Sequence, residues 1–300
     1  MASILNRYEN IMSTNVCGMI EFAEDPMKMA RHLSHHMEDD LSKTKREGAE
    51  LIAEIEKLED INMAEVGRVI LPTPFTRLRL NQNEYEQMKY ELSKYQPKIY
   101  GGVFPKDWNV PKTLDFMQDE TVVMENARIT AEAVVSEIIA NSIYGIKNEK
   151  ILVTGFGKCG KETARLLHAM GAKVTVLARS RGARIDAKEM GLNAVDFSYG
   201  PDEAYGTRVL INTVPARVVT KKLIDELADD SLIIDIASGN GGCDKQAAEN
   251  RQIKLIHALG LPGRYTPKTS AKVLYDCIVR NSPSQIGQKE GNPWIYLLTP

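Results

Sequence analysis

The chain has 300 residues, 43% hydrophobic and 26% charged, and its 38 Lys plus Arg against 40 Asp plus Glu leave a formal charge of −2. At roughly 150 residues per domain this is enough for about two soluble globular domains, and the composition excludes disorder, collagen and coiled coil. No net basic field exists to hold a nucleic-acid backbone or an anionic membrane, so neither is expected as a partner. The first residues lack a basic segment followed by an apolar leader, and no stretch approaches about 18 uninterrupted apolar residues, which predicts a cytoplasmic protein. Cys17, Cys159, Cys243 and Cys277 lie far apart with no C-x-x-C pair and read as free thiols in a reducing compartment.

From Asp25-Pro26 onward, Met29, Leu33, Met37 and Leu41 recur every four positions, and Leu51, Ile52, Ile55 and Leu58 continue the stripe, which predicts helices. Asp25 suits an N-cap with Pro26 at the first helical position. His32, His35 and His36 fall on this helical stretch. His32 and His36 have the spacing of a metal pair but no accompanying H-E-x-x-H carboxylate, so they read as a solvated face.

Arg68-Val69-Ile70-Leu71 is a short strand stopped by Pro72 and Pro74. Residues 83–95 read as a helix and Lys98 to Phe104 as a second strand, giving a β-α-β piece. Residues 105–113 are turn-rich, Thr121-Val122-Val123-Met124 reads as a strand, and residues 130–144 form an apolar helix bridging two domains. From Lys150 to about Arg280, strands are expected at 150–155, 173–178, 193–197, 207–212, 231–236 and 253–257. Helical segments fill 159–170, 183–190, 219–228, 243–250 and 268–280. Short, mostly two-sided apolar strands alternating with helices require a doubly wound parallel sheet of the Rossmann kind. The tail, 282–300, has no periodicity, although Trp294 and Tyr296 offer it a means of docking.

Gly155-Phe156-Gly157-Lys158-Cys159-Gly160 follows the strand Ile151 to Thr154 and opens a helix. A second strand, Lys173 to Leu177, comes next, which is the context a dinucleotide-binding turn demands. Gly155 permits the tight turn, Gly157 admits a pyrophosphate to the backbone, and Gly160 lets helix and strand pack closely. The helix N-terminus then meets the anion with free N–H groups. Where an NAD site carries Asp or Glu after the second strand, this chain has Ala178-Arg179-Ser180-Arg181. Two guanidiniums and a hydroxyl suit a 2′-phosphate, which predicts NADP(H); Arg179 and Arg181 as plain solvated charges beside NAD is the alternative. Later loops at the carboxyl ends of strands complete the expected cofactor site: Asn212-Thr213-Val214-Pro215, and Ala237-Ser238 ahead of Gly239-Asn240. Asn212 and Ser238 also fit simple turn or cap positions. A D-2-hydroxyacid dehydrogenase is disfavoured, because the loop after the fifth strand has no Arg and the last histidine, His257, lies inside a strand.

These motifs, together with Asp235-Ile236-Ala237-Ser238, Gly260-Leu261-Pro262-Gly263 and Pro267-Lys268-Thr269, resemble the family of the dipicolinate synthase A subunit over about residues 119–280. Asn126, Thr130 and Glu132 match that family's residues ahead of the interdomain helix, and Val69 to Pro72 match it more faintly. The resemblance implies an NADP-linked two-electron step yielding dipicolinate, the pyridine diacid of bacterial spores, from a dihydro- or hydroxytetrahydro-dipicolinate. It also implies a flavoprotein-like partner, the B subunit. Family members begin with a strand and Gly-rich turn, whereas residues 1–65 here read as helices.

A dicarboxylate substrate needs cationic or N–H donors, and its oxidation needs a base. Arg128 and Lys268 are the candidate cations, with Thr269 beside the second; Lys268 has the support of the resemblance. Thr130 and Glu132 are placed nearby. Glu132 is the candidate base, on the argument that partial burial at a cleft helix start raises its pKa; a capping role is the alternative. The expected organisation is an α/β chain with a smaller N-terminal, substrate-side domain at 1–128, helix-rich at its start. An interdomain helix at 129–146, the Rossmann domain at 147–281 and a tail at 282–300 follow. Apolar positions on the N-terminal helices are compatible with a homodimer. A non-catalytic NADP(H)-binding scaffold protein, or a related dehydrogenase acting on another amino or keto acid, are the competing functions.

Overall fold

Short runs of Val, Ile and Leu build two all-parallel sheets in the computed structural model, which describes residues 66–281 and the backbone of 294–296. The helices expected between residues 25 and 58, with His32, His35 and His36, lie outside the described residues, as does Cys17.

The smaller sheet contains β1 (Arg68–Ile70), β2 (Lys98–Gly101), β3 (Thr113–Asp115) and β10 (Trp294–Tyr296), in the order β10-β1-β2-β3. Helix α1 (Gln82–Tyr95) joins β1 to β2 and starts in a capping box, where Asn81 accepts from the Glu84 amide and Glu84 accepts from that of Asn81. The expected β-α-β piece is therefore present. β3 falls at the end of the stretch read as turn-rich, and its three residues are too few to show an alternating pattern. The tail, despite its lack of periodicity, supplies a strand: Trp294, Ile295 and Tyr296 pair in parallel with Arg68, Val69 and Ile70.

The larger sheet orders its strands β6-β5-β4-β7-β8-β9, with β4 (Lys150–Thr154), β5 (Lys173–Leu177), β6 (Asn193–Val195), β7 (Val209–Asn212), β8 (Leu232–Asp235) and β9 (Lys254–His257). This is the 3-2-1-4-5-6 order of a doubly wound sheet. Both faces are covered. Ile151 and Val153 join Ala164 and Leu167 of α3 (Lys158–Ala169) in one apolar cluster. On the other face Leu152 joins Ala204 of α5 (Gly200–Ala204), Leu223 of α6 (Lys221–Ile224) and Ala247 of α7 (Lys245–Asn250). That alternation of faces within a continuously apolar strand is why the strands were legible as buried runs. The winding reverses between β4 and β7, which opens a crevice beyond Thr154 and Asn212.

Helix α2 runs from Glu120 to Asn141 and corrects the strand expected at Thr121 to Met124. Those β-branched residues favour extended backbone when considered alone. Asp119 overrides them by accepting the Val122 amide at 3.0 Å, and Val122 packs with Phe116, Cys277 and Ile278 in the core of the smaller sheet. Helices α8 (Leu261–Tyr265) and α9 (Pro267–Arg280) pack on α2. Arg280 at the end of α9 meets Asp119 at 3.1 Å, so α2 leaves the smaller sheet where α9 returns to it. Among the described residues no helix is long and apolar enough to cross a membrane.

Candidate nucleotide site and interdomain cleft

The turn between β4 and α3 is shaped by what its glycines exclude. Gly155 has φ +88°, and a Cβ there would stand 2.5 Å from Thr213 Oγ1. A Cβ on Gly160 would stand 2.5 Å from the Gly155 carbonyl oxygen. Both positions are closed by the protein itself. Gly157 differs: nothing lies within 4 Å of its would-be Cβ. It is also the N-cap of α3 and offers no side chain to the first-turn N–H groups, which leaves an exposed, positively polarised helix end beside open space. Phe156 packs against the core and Lys158 is exposed at the helix start.

Beyond β5, Ala178 is buried while Arg179, Ser180 and Arg181 are exposed. Ser180 caps α4 (Arg181–Glu189). Arg184, further along, is committed to structure: its guanidinium donates to the Ala178 and Arg179 carbonyls and to Asp196 at 2.6, 2.7 and 2.8 Å. Arg179 and Arg181 make no ion pair among the described residues. The end of β5 thus holds one structural guanidinium and two uncommitted ones.

The switch-point crevice has a buried polar floor. Thr154 Oγ1 donates to Asn212 Oδ1 at 2.5 Å, and Asn212 Nδ2 donates to Asp235 Oδ1 at 2.8 Å. Asp235 is only 3% exposed and also accepts from the amides of Ala237 and Gly242 at 3.0 and 2.7 Å. Asn212 is therefore part of this network rather than a simple cap, and it fixes its own loop by accepting the Val214 amide at 3.1 Å. Thr213 Oγ1 donates to the Thr154 carbonyl at 2.8 Å. Burial, then the Asp235 charge, pushes the Cys243 thiol up. His257 Nε2 lies 3.3 Å from the Ala237 carbonyl, at the end of β9 as expected. Ser238 makes no side-chain hydrogen bond among the described residues.

A model of the alanine dehydrogenase/PNT C-terminal domain family matches residues 122–280, which span this turn, both strand-end loops and α9. The chain belongs to that family. It is 29% identical over 180 residues to the dipicolinate synthase A subunit of Bacillus subtilis, covering 60% of this chain and 60% of that protein. The chain thus spans about 60% of that relative's length. Among solved structures, the dipicolinate synthase A subunit from Bacillus halodurans superposes with a TM-score of 0.66 at 28% identity, over 75% of this chain and 82% of that one. The Bacillus subtilis dipicolinate synthase A chain gives 0.60 at 27%, over 64% and 67%. The resemblance carried by the Gly-Leu-Pro-Gly and Pro-Lys-Thr segments is thereby shown.

Within this alanine dehydrogenase/PNT C-terminal domain, α2 separates the residues expected to act together. Thr130 is buried; its hydroxyl donates to the Asn126 carbonyl at 2.7 Å and meets Cys159 of the phosphate-binding turn. Burial raises the Cys159 thiol, and the bond with Thr130 partly offsets it. Glu132 and Arg128 lie two residues to either side, about 200° around the helix. Both are exposed, and Arg128 pairs with Glu125. The helix starts at Glu120, so Glu132 is neither a cap nor buried, and the reason for assigning it the base role is absent. Lys268 and Thr269 stand exposed in the first turn of α9, and Lys268 has no ion-pair partner among the described residues.

Sequence reasoning missed Glu137. Although 4% exposed, it accepts from Asn141 Nδ2 at 3.0 Å and faces Arg264 of α8 at 3.6 Å. Burial, followed by a hydrogen bond to Glu137, raises the Tyr265 hydroxyl. Glu137 thus pins the Gly-Leu-Pro-Gly segment to α2. A lone carboxylate between Val134 and Ile138 on the apolar stripe was the available signal. Among the described residues no cluster of His, Cys, Asp and Glu is set to hold a metal.

Proposed function

We propose that this chain is an NADP-dependent oxidoreductase of the dipicolinate synthase A-subunit kind. Its reaction forms dipicolinate from a dihydro- or hydroxytetrahydro-dipicolinate, with a flavoprotein-like B subunit as partner. The observation that carries this reading is the open, uncapped turn at Gly157 beside the two uncommitted guanidiniums of Arg179 and Arg181. A pyrophosphate fits the first and a 2′-phosphate the second.

When bound, NADP supplies the acceptor for a hydride leaving a ring carbon, and a proton leaves with it; the hydroxytetrahydro compound loses one water in addition, and the dihydro compound none. The chain's own residues bind and orient. First-turn N–H groups of α3 hold the pyrophosphate, and Thr130 fixes Cys159 so that the turn keeps its shape. The Asp235 network holds Ala237 and Ser238 at the nicotinamide side. Lys268, with Thr269, offers an unpaired ammonium to a substrate carboxylate, and a carboxylate bound there needs the positive charge because the reaction leaves both acid groups ionised. In this arrangement the described residues before 129 form the substrate side, 129–146 the connection and 147–281 the nucleotide side.

A non-catalytic NADP(H)-binding scaffold protein is the second reading. It is favoured by the exposure of Glu132 and by the engagement of His257 with a backbone carbonyl. Turnover separates the two. The test is to follow NADPH and dipicolinate from freshly made hydroxytetrahydrodipicolinate, with and without the B-type partner, in the wild type, Lys268→Ala and the Arg179→Ala/Arg181→Ala pair. Lys268→Ala should abolish turnover with NADPH affinity intact. The double variant should weaken NADPH binding by about tenfold or more and leave NADH nearly unchanged. Equal losses for the two cofactors would overturn the NADP assignment, and tight NADPH binding without product under any condition would favour the scaffold.

A further inference from the structure

Where a parallel strand ends, its last carbonyls lose the neighbouring strand that would satisfy them, and each peptide of the loop that follows can turn either face outward. At the end of β5 one side chain removes that freedom. Arg184, one turn into α4, reaches back over the loop. Its Nη1 lies 2.6 Å from the Ala178 carbonyl oxygen, 2.7 Å from that of Arg179 and 2.8 Å from Asp196 Oδ2 on the loop after β6. Its own amide donates to the Ser180 carbonyl at 3.2 Å. The consecutive carbonyls of Ala178, Arg179 and Ser180 are therefore all turned toward one residue. The Ala178 amide is held as well, by the Val195 carbonyl of β6 at 3.1 Å.

The Ala178 and Arg179 carbonyls belong to the peptide planes on either side of the Arg179 Cα. Fixing both planes fixes the direction in which the Arg179 side chain leaves the backbone. These peptides are trans, so each N–H points opposite to its C=O, and the amides of Arg179 and Ser180 face away from Arg184. Neither amide donates to a protein acceptor among the described residues, and Arg179, Ser180 and Arg181 are all exposed. The outward side of the loop is thus made of donors: two amides and the guanidiniums of Arg179 and Arg181. Asp196 completes the arrangement from behind. It accepts from the amide and the hydroxyl of Ser198, each at 3.2 Å, and its charge is compensated by Arg184.

We propose that Arg184 is the positioning residue that makes this loop select a 2′-phosphate. In this role it does not touch the cofactor; it ties back the carbonyl oxygens so that only N–H groups and the two guanidiniums meet the ligand. A phosphate accepts from N–H donors and is repelled by a carbonyl oxygen, so a loop whose peptides can flip holds it less well. A ribose 2′-hydroxyl both donates and accepts, so NADH is far less sensitive to which face of each peptide is shown. Loss of Arg184 would also leave the Asp196 carboxylate uncompensated behind the loop. The inference deepens the NADP reading under Proposed function and rests on it.

The test is fluorescence titration of NADPH and of NADH into the full chain, in the wild type, Arg184→Ala, Arg184→Lys and the Arg184→Ala/Asp196→Ala pair, with thermal melting to check each fold. The quantity read is the preference, the ratio of the NADH to the NADPH dissociation constant, which a general loosening of the domain would not move. Arg184→Ala should lower that ratio by about fivefold or more, almost wholly through weaker NADPH binding. Arg184→Lys carries its donors on one nitrogen but ends one bond short, and should keep part of the preference. The double variant should stay as low as Arg184→Ala, because the freed carbonyls and not the Asp196 charge cause the loss. Equal weakening of both cofactors, or an unchanged ratio in Arg184→Ala, overturns the proposal and leaves the NADP reading standing. Recovery of the preference in the double variant overturns it too, by assigning the loss to the Asp196 charge. If Arg184→Ala does not fold, Arg184→Lys decides: a lowered ratio supports the proposal and an unchanged one overturns it. A wild type that binds NADH as well as NADPH overturns the NADP reading, and this inference with it.

Discussion

Two glycine-rich loops sit at the carboxyl edge of the larger sheet and use glycine for opposite ends. In the loop after β4, Gly157 adjoins nothing within 4 Å, so the missing side chain leaves room for something outside the protein. In the loop after β8, a Cβ on Gly242 would stand 2.3 Å from the Val214 carbonyl oxygen and 2.4 Å from that of Ala216. A Cβ on Gly241 would stand 2.4 Å from Asp235 Oδ2. There the missing side chains let the backbone close around a buried carboxylate. The same residue type therefore marks a ligand surface in one loop and a protein interior in the other, and only the neighbours tell them apart.

The contrast is sharpest in stability. Gly242→Ala must displace backbone carbonyls rather than a flexible side chain, so it should cost about 3 kcal/mol and lower the melting temperature by roughly 6–12 °C. A thermal melt unchanged by this substitution would show that the loop yields and would erase the distinction. Gly157→Ala should do the reverse. Its φ of −74° suits any residue, so the loss in stability should stay under about 1 kcal/mol. The added methyl would occupy the pyrophosphate approach and should weaken NADPH binding by about 10- to 100-fold in a fluorescence titration. Full NADPH affinity in Gly157→Ala would move the nucleotide away from this turn.

Those loops also show what sequence can and cannot disclose. The four central strands of the larger sheet were legible because burial of both faces writes an apolar run, as in Ile151-Leu152-Val153 and Leu232-Ile233-Ile234. The phosphate-binding turn was legible because its spacing and flanking elements are local. The start of α2 was not, since Thr121-Val122-Val123 carries strand propensity and the deciding contacts, Val122 with Cys277 and Ile278, come from residues far along the chain. Asp235 was visible as a strand end but not as a hub, because Asn212 and Gly242 reach it only through the fold.

A pair of carboxylates extends the comparison to a smaller effect. Asp235 is enclosed by protein donors, whereas Asp119 stands on the rim where α2 and α9 meet, with its side chain 21% exposed. The Val122 amide first, then Arg280 and the Cys277 thiol, hold the Asp119 carboxyl below the ordinary carboxylate range, against the opposing effect of burial. A carboxyl with a lowered folded pKa contributes stability above its unfolded value, near about 3.9, and loses that contribution as pH falls through the folded value. Asp119→Ala removes the cap and the ion pair together, so its cost should be about 1 kcal/mol at pH 7 and shrink below about pH 4. Asp119→Asn keeps an oxygen for the Val122 amide and should lie between the two in urea denaturation at pH 7. If Asp119→Ala and the wild type differ by the same amount at pH 7 and pH 3, the charge contributes nothing and the oxygen acts only as a cap. The rim carboxylate would then join the second loop's glycines as a device of shape.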